Sequence, residues 1–446
     1  MYIENESEWL SRLFDDLWPV TRSITGPGLR KSLKIFREEI PLEIEGVPSG
    51  TDVFDWEIPP EWHIYEGRLT GPDRNIYADF DETNLAVVNY SKAVNGSFSL
   101  DELKPHLYTD PSVPDATPYV TSYYERTWGF CLPHQVYEEL PEGEYYAHID
   151  SEFVDGELNF GHTVLPGESD EEVLLSSYLC HPSLANNELS GPLVLAALYH
   201  RLSEWENRQF TYRFVLCPET IGSIAYLSEY GDHLKDALVG GLVLTCLGGP
   251  SESLSYKTSR RENALIDKTV QNLKEQSDKG FKIRQFTPTG GSDERQYCSP
   301  GFNLPVGQIA RTVYGQYDGY HNSNDDKEFM GIDSLIQSVD LIENLLQSFE
   351  YAGYYENQKP YGEPMLGKRD LYPNINSPQQ WERANSVVNE QEFLNRILTV
   401  LNYSDGEHAM VEIADDYGCP MDEMIPVVET LLDHNLLQRV LTSYDK

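Results

Sequence analysis

The spacing of apolar positions changes character along the chain. In "ESEWLSRLFDDLW" and "PGLRKSLKIFREEI", within residues 6–40, apolar residues recur every three or four positions and predict two helices, the second opened by Pro-Gly. From about residue 43 to 165, aromatic and β-branched residues alternate with polar ones, and Pro and Gly break the runs. "EWHIYEGRLTG", "NLAVVNYS", "PYVTSYYERTWGFCL" and "EYYAHIDSEFVDGELNFGHTVL" therefore predict short strands, with a hairpin around Asp155-Gly156. From about 171 to 355, strand patterns ("EEVLLSSYL", "YRFVLC", "LVGGLVLTCL", "LPVGQIA") alternate with helical ones ("SGPLVLAALYHRLSEW", "GSIAYLSEYGDHL", "ENALIDKTVQNLKEQ", "DSLIQSVDLIENLLQSFEYAG"). That alternation predicts an α/β layer with a mainly parallel sheet. Residues 356–390, rich in Pro, Asn, Gln and Gly, read as a linker, and three short amphipathic helices in 391–446 read as a helix-turn-helix or winged-helix module.

Composition narrows the function. The 446 residues exceed one ordinary core, and 40% apolar residues suffice for several. No run approaches the ~20 apolar residues of a membrane helix, and the acidic start "MYIENESEWLSRLF" lacks the order of a secretory signal, so a cytoplasmic location is expected. A formal charge of −40 argues against nucleic acid and anionic membranes as partners. Residues 391–446 carry 11 acidic and 3 basic side chains, which suits a docking or dimerisation element, through a second copy or another protein, rather than a DNA reader. Six cysteines without a CxxC pair exclude a zinc knuckle and read as buried free thiols.

In α/β sheets ligands gather beyond the carboxyl ends of strands. His181 follows "VLLSSYLC", Glu219 follows "YRFVLCP", Thr245 and Cys246 end "LVLTC", Asp293 lies in "TGGSDERQY", and His321 lies in "YHNSNDD". Two histidines with carboxylates at such positions suit a catalytic zinc site, which takes about three protein ligands and leaves a place for water. The cation would acidify that water and polarise a carbonyl while a carboxylate shuttles the proton. Arg311 and Tyr320 are candidates to orient a substrate carboxylate or carbonyl, with packing or surface roles equally open. Ser190-Gly191 reads as a helix cap and close-packing glycine, Ser323–Asp326 as the cap of the long final helix, and "TRSITG" as a helix-connecting turn or a pocket wall. His162, His200 and His233 read as structural.

"HPSLANNELSG", "PETIGSIAYL", "GGSDERQY" and "YHNSNDD" resemble the successive motifs of the co-catalytic zinc aminopeptidases. Together with "VTRSITGPGLR", "DWEIPPEW" and "NYSDGEHAMVEIA", they make nearly the whole chain similar to bacterial aminopeptidase-like proteins with an inserted β domain and a C-terminal winged helix, often encoded among polysaccharide-biosynthesis genes. The resemblance implies a zinc-exopeptidase-like three-layer core in residues 1–50 and 130–355, an inserted β domain in 51–129, a linker in 356–390 and a winged-helix module in 391–446. It implies His181 and His321 as metal ligands. It also marks departures: Asn187 stands where an aspartate bridges two metals, Pro218 beside Glu219 where a second glutamate belongs, and Thr245 where a further aspartate belongs.

Two cations without compensating anions repel strongly. The expectation is therefore one divalent metal, zinc, held by His181, Glu219 and His321 with Asn187 near, and Asp293 as proton shuttle. In the alternative, Glu219 is the base and Asp293 a ligand. The expected activity is hydrolysis of an amide in a peptide or an acylamino sugar precursor. The rival reading is a catalytically degenerate scaffold in polysaccharide biosynthesis.

Overall fold

The computed structural model describes residues 5–277, 280–372 and 390–440. Two compact units emerge, Met1–Arg261 with Arg284–Asp340, and Glu262–Ile283 with Leu341–Lys446.

The first unit is built on a mixed sheet. Its strands that lie wholly within this unit run in the order Glu43–Pro48, Glu157–Leu165, Thr211–Cys217, Glu172–Tyr178, Leu238–Leu244, Val306–Ala310 and Leu254–Lys257. The four from Thr211–Cys217 to Val306–Ala310 are parallel, and the flanking pairs are antiparallel. The expected parallel layer is thus the centre of a mixed sheet. Glu172–Tyr178 and Leu238–Leu244 are buried at every position, which is why they read as continuous apolar runs rather than alternating ones. After Glu172–Tyr178 the chain pairs first on one side, with Thr211–Cys217, and then on the other, with Leu238–Leu244. That reversal opens a crevice at their carboxyl ends.

The helix Ser190–Ser203 is buried along nearly its whole length. Gly191 permits its approach: a Cβ there would lie 2.4 Å from the Leu244 carbonyl oxygen and 2.4 Å from Ser177 Oγ. Ser190 makes no side-chain cap. Its hydroxyl bonds the Asn186 carbonyl and accepts from the Leu247 amide, because a π-helical turn, Ala185–Leu189, already leads into the helix.

A four-stranded antiparallel sheet, in the order Ile76–Asp79, Glu61–Thr70, Glu144–Val154 and Val94–Ser99, is a second sheet of this unit. Its strand Glu144–Val154 lies beyond residue 129, where the insert was expected to end. No hairpin forms at Asp155-Gly156, because the strands on either side belong to different sheets. Glu61, 4% exposed, accepts from Arg30 Nη2 at 2.9 Å and from the Glu157 amide at 2.9 Å. Burial opposes ionisation there, but Arg30, His63 and that amide outweigh it and hold the Glu61 pKa down to about 2. A depressed carboxylate adds stability that is present above its ordinary value of 4.5 and is lost as pH falls toward 2. Urea unfolding of this unit should weaken across that window, and Glu61→Gln should flatten the slope there. An unchanged slope in the variant would contradict this assignment.

The second unit contains the three-stranded sheet Asp405–Ala409, Tyr354–Asn357 and Leu437–Val440, with helices Glu390–Tyr403, Met410–Tyr417 and Ile425–Asp433. Tyr354–Asn357, whose last two residues fall in the expected linker, is the central strand. Residues 373–389 of that linker lie outside the described residues. The helix Leu265–Gln276, expected with the α/β core, belongs here. Asn272 donates to Asp415 at 2.6 Å and accepts from the Met421 amide at 2.6 Å, and Lys268 pairs with Glu412 at 2.7 Å. No helix among the described residues is long and apolar enough to cross a membrane.

Candidate metal-binding active site

The carboxyl ends of the parallel strands bring His181 and Glu219 together: His181 Nε2 lies 3.8 Å from Glu219 Oε2. His181 is oriented from behind. Its Nδ1 meets Glu188 Oε2 at 2.7 Å, leaving Nε2 to face Glu219. Burial alone would lower the His181 pKa, but the charge and hydrogen bond of Glu188 reverse this and raise it. Glu188 is wholly buried and sits in a fixed cradle, accepting from the Cys180 amide and lying 3.8 Å from Arg22 Nε. Arg22, also wholly buried, donates to the His181 and Leu17 carbonyls at 3.0 and 2.6 Å. "TRSITG" thus contributes Arg22 to the site, while Thr21, Ser23 and Thr25 line a separate cleft of about 300 Å³ with Trp62 and His63.

Glu219 Oε1 accepts the Ser292 hydroxyl at 2.7 Å, and burial raises the Glu219 pKa despite His181. Its side chain keeps 29% exposure, whereas Glu188 and Asp293 are wholly buried. Asp293 Oδ1 accepts from the Thr220 amide at 2.7 Å and from Ser223 at 2.9 Å, and its Oδ2 has no partner. Burial, then the charge of Glu219, pushes the Asp293 pKa up to about 8. Enclosed in this way, Asp293 holds the turn that presents Glu219 and has no surface from which to reach a substrate.

His321 has its ring centroid 5.4 Å from that of His181, and burial, then His181, lowers its pKa to about 3, so it is a neutral imidazole. Tyr320 stacks on it at 4.0 Å. The Asn187 amide donates to Asp325 at 2.8 Å, its Nδ2 donates to the Tyr178 hydroxyl at 3.3 Å, and its Oδ1 is buried without a partner. Asp325, which also takes the Asn186 amide, fixes this turn. Asp326 beside it caps the short helix Lys327–Met330 rather than the long helix that follows. The Thr245 hydroxyl bonds the Tyr178 hydroxyl at 2.6 Å. Arg311 is not brought to these residues: it bonds Ser338 at 2.8 Å and the Ser251 carbonyl at 2.5 Å.

The segment around residues 117–123 also reaches the site. The Tyr119 ring lies 4.9 Å from that of His181 and 5.5 Å from that of His321. The Tyr119 amide donates to the His321 carbonyl at 2.7 Å, and the Tyr119 and Tyr123 hydroxyls are 2.6 Å apart. The sequence reading missed Glu188, Arg22 and Tyr119. The signal for Glu188 was a carboxylate in "ANNELSG", the turn just ahead of the apolar helix Ser190–Ser203.

Cys180, His181 and Glu188 bring donor atoms within 4.8 Å of one another. They do not make a cation site. Burial, then Glu188, pushes the Cys180 thiol well up, and Glu188 is already matched to Arg22. The expected trio His181, Glu219 and His321 is a looser set. Its chemistry fits one divalent cation: an imidazole oriented by a carboxylate, a neutral imidazole and a carboxylate. It does not fit two, since Asn187 and Thr245 supply no charge.

A family described as a domain of unknown function (DUF4910) matches residues 11–352, and a winged helix-turn-helix family matches residues 353–439. A Clostridium acetobutylicum protein, provisionally named a polysaccharide biosynthesis protein with an aminopeptidase-like domain, is 40% identical over 442 residues, covering 98% of this chain and 99% of that one. A crystal structure from the same organism, provisionally described as a peptidase, is similar at a TM-score of 0.86 and 38% identity, covering 98% of each chain. BSAP, a zinc aminopeptidase from Bacillus subtilis, is similar at a TM-score of 0.53 and 11% identity, over 76% of this chain and 94% of its own. A Shewanella amazonensis peptidase M28 precursor is similar at a TM-score of 0.55 and 12% identity, over 77% of this chain and 92% of its own. These two show a shared fold.

Proposed function

From its membership of the DUF4910 family, with an aminopeptidase-like domain and a winged helix, we propose that this chain is a single-metal hydrolase of an amide bond in a peptide or an acylamino sugar precursor. The observation that carries the reading is His181 Nε2 facing Glu219 Oε2 at 3.8 Å, with Nδ1 anchored on Glu188. A divalent cation bound there, zinc in the first instance, would supply Lewis-acid polarisation of the carbonyl and an acidified water. His181, Glu219 and His321 would hold it. Glu219, the carboxylate of the cluster with exposed surface, is also placed to move the proton. Tyr119 and Tyr320 flank the histidines and restrict how a substrate enters. The acidic C-terminal module serves as a docking surface for a second copy or another protein.

Screening of aminoacyl and N-acetylated sugar amides should find hydrolysis that a chelator abolishes and added zinc restores. Turnover that survives chelation would contradict the proposal. The second reading, a degenerate scaffold, is favoured by Thr245 and Asn187, whose polar groups bond Tyr178 where the resemblance expects charged ligands. It predicts no hydrolysis of any amide at any metal loading.

A further inference from the structure

His162, read from sequence as a structural histidine, lies on the flanking strand Glu157–Leu165, paired with the strand Glu43–Pro48 at the margin of the sheet. Glu43 is its direct cross-strand neighbour, and Glu45, two residues on, projects from the same face. His162 Nε2 lies 3.2 Å from Glu45 Oε1 and 3.8 Å from Glu43 Oε2. One donor atom from each residue lies within 4.8 Å of the others.

The imidazole is 6% exposed, and its Nε2, aimed between two carboxylates, makes no hydrogen bond. The Arg213 guanidinium does not serve them. Arg213 is held by Glu172 through two bonds, at 2.6 and 2.8 Å, and gives a third to the Tyr226 hydroxyl at 3.2 Å. Tyr226 in turn stands 3.3 Å from His162 Nδ1, and Tyr230 donates to Glu45 Oε1 at 2.7 Å. Each inner residue thus has a supporting partner of the kind that orients metal ligands. The rim is open, with the Glu43 side chain 81% exposed and that of Glu45 40% exposed.

We infer that Glu43, Glu45 and His162 form a second divalent-cation site, separate from the His181 cluster. It takes a first-row transition ion such as zinc and leaves positions for water. One imidazole and two carboxylates favour such an ion over calcium or magnesium, which prefer oxygen alone. The cation would neutralise the paired carboxylates and tie the marginal strand to its neighbour.

The test uses the full chain carrying His181→Ala and His321→Ala, so that the first site cannot contribute. Equilibrium dialysis against zinc should show one bound equivalent and a raised melting temperature. Adding Glu43→Gln and Glu45→Gln, at exposed side chains that leave the core intact, should remove both effects, and His162→Gln should do the same. Zinc binding that survives the Glu43→Gln, Glu45→Gln pair, or no binding in the parent, would overturn the inference. Neither result bears on the His181 cluster.

Discussion

Glu188→Ala should lower the stability of the first unit by about 3–5 kcal/mol, the cost of leaving a buried charge without its partner. The charge is that of Arg22, wholly buried, whose Nη2 already lacks a hydrogen bond. Burial lowers the Arg22 pKa, and Glu188 is the largest influence opposing that. The substitution also orphans the Cys180 amide and frees His181 Nδ1. Urea unfolding followed by near-ultraviolet dichroism measures the loss. Replacing both partners by apolar residues, as Glu188→Leu with Arg22→Met, should recover most of it, because the pair then goes together. A single variant that unfolds like the parent would mean that Glu188 does not neutralise Arg22.

The second large effect is on turnover. Glu219→Gln should lower amide hydrolysis by about 10²- to 10⁴-fold, the usual worth of a proton-transferring carboxylate. The fold should persist, because the side chain is 29% exposed and its one bond, from Ser292, is kept by the amide oxygen. Zinc bound to the variant separates the two roles of Glu219: loss of one equivalent assigns ligation, and retention assigns proton transfer. Turnover equal to the parent's would remove Glu219 from the mechanism. Asp293→Asn should cost less, because Asp293 reaches the site only through the Thr220 turn.

Much of this was legible in the chain. The all-apolar runs such as "VLLSSY" are legible because a central parallel strand is buried on both faces, and the motif order placed His181, Glu219 and His321 at one sheet edge. Residues that act from behind were not. Glu188 follows Asn187 directly, but its value depends on Arg22, 166 positions earlier in the chain. Tyr119 reaches the histidines through long-range pairing of residues 117–119 with 321–323, which leaves no periodic trace in sequence. Asp155-Gly156 carried an ordinary hairpin signal, yet the chain uses it to pass from one sheet to another, and only the partners of each strand decide that.

Zinc content by elemental analysis decides whether His181 and His321 bind a cation, comparing the parent chain with the His181→Ala, His321→Ala variant, both purified without chelator and then dialysed against zinc. The parent should hold one equivalent more than the variant. Equal zinc content in the two would contradict a metal site at His181 and His321 and leave the scaffold reading.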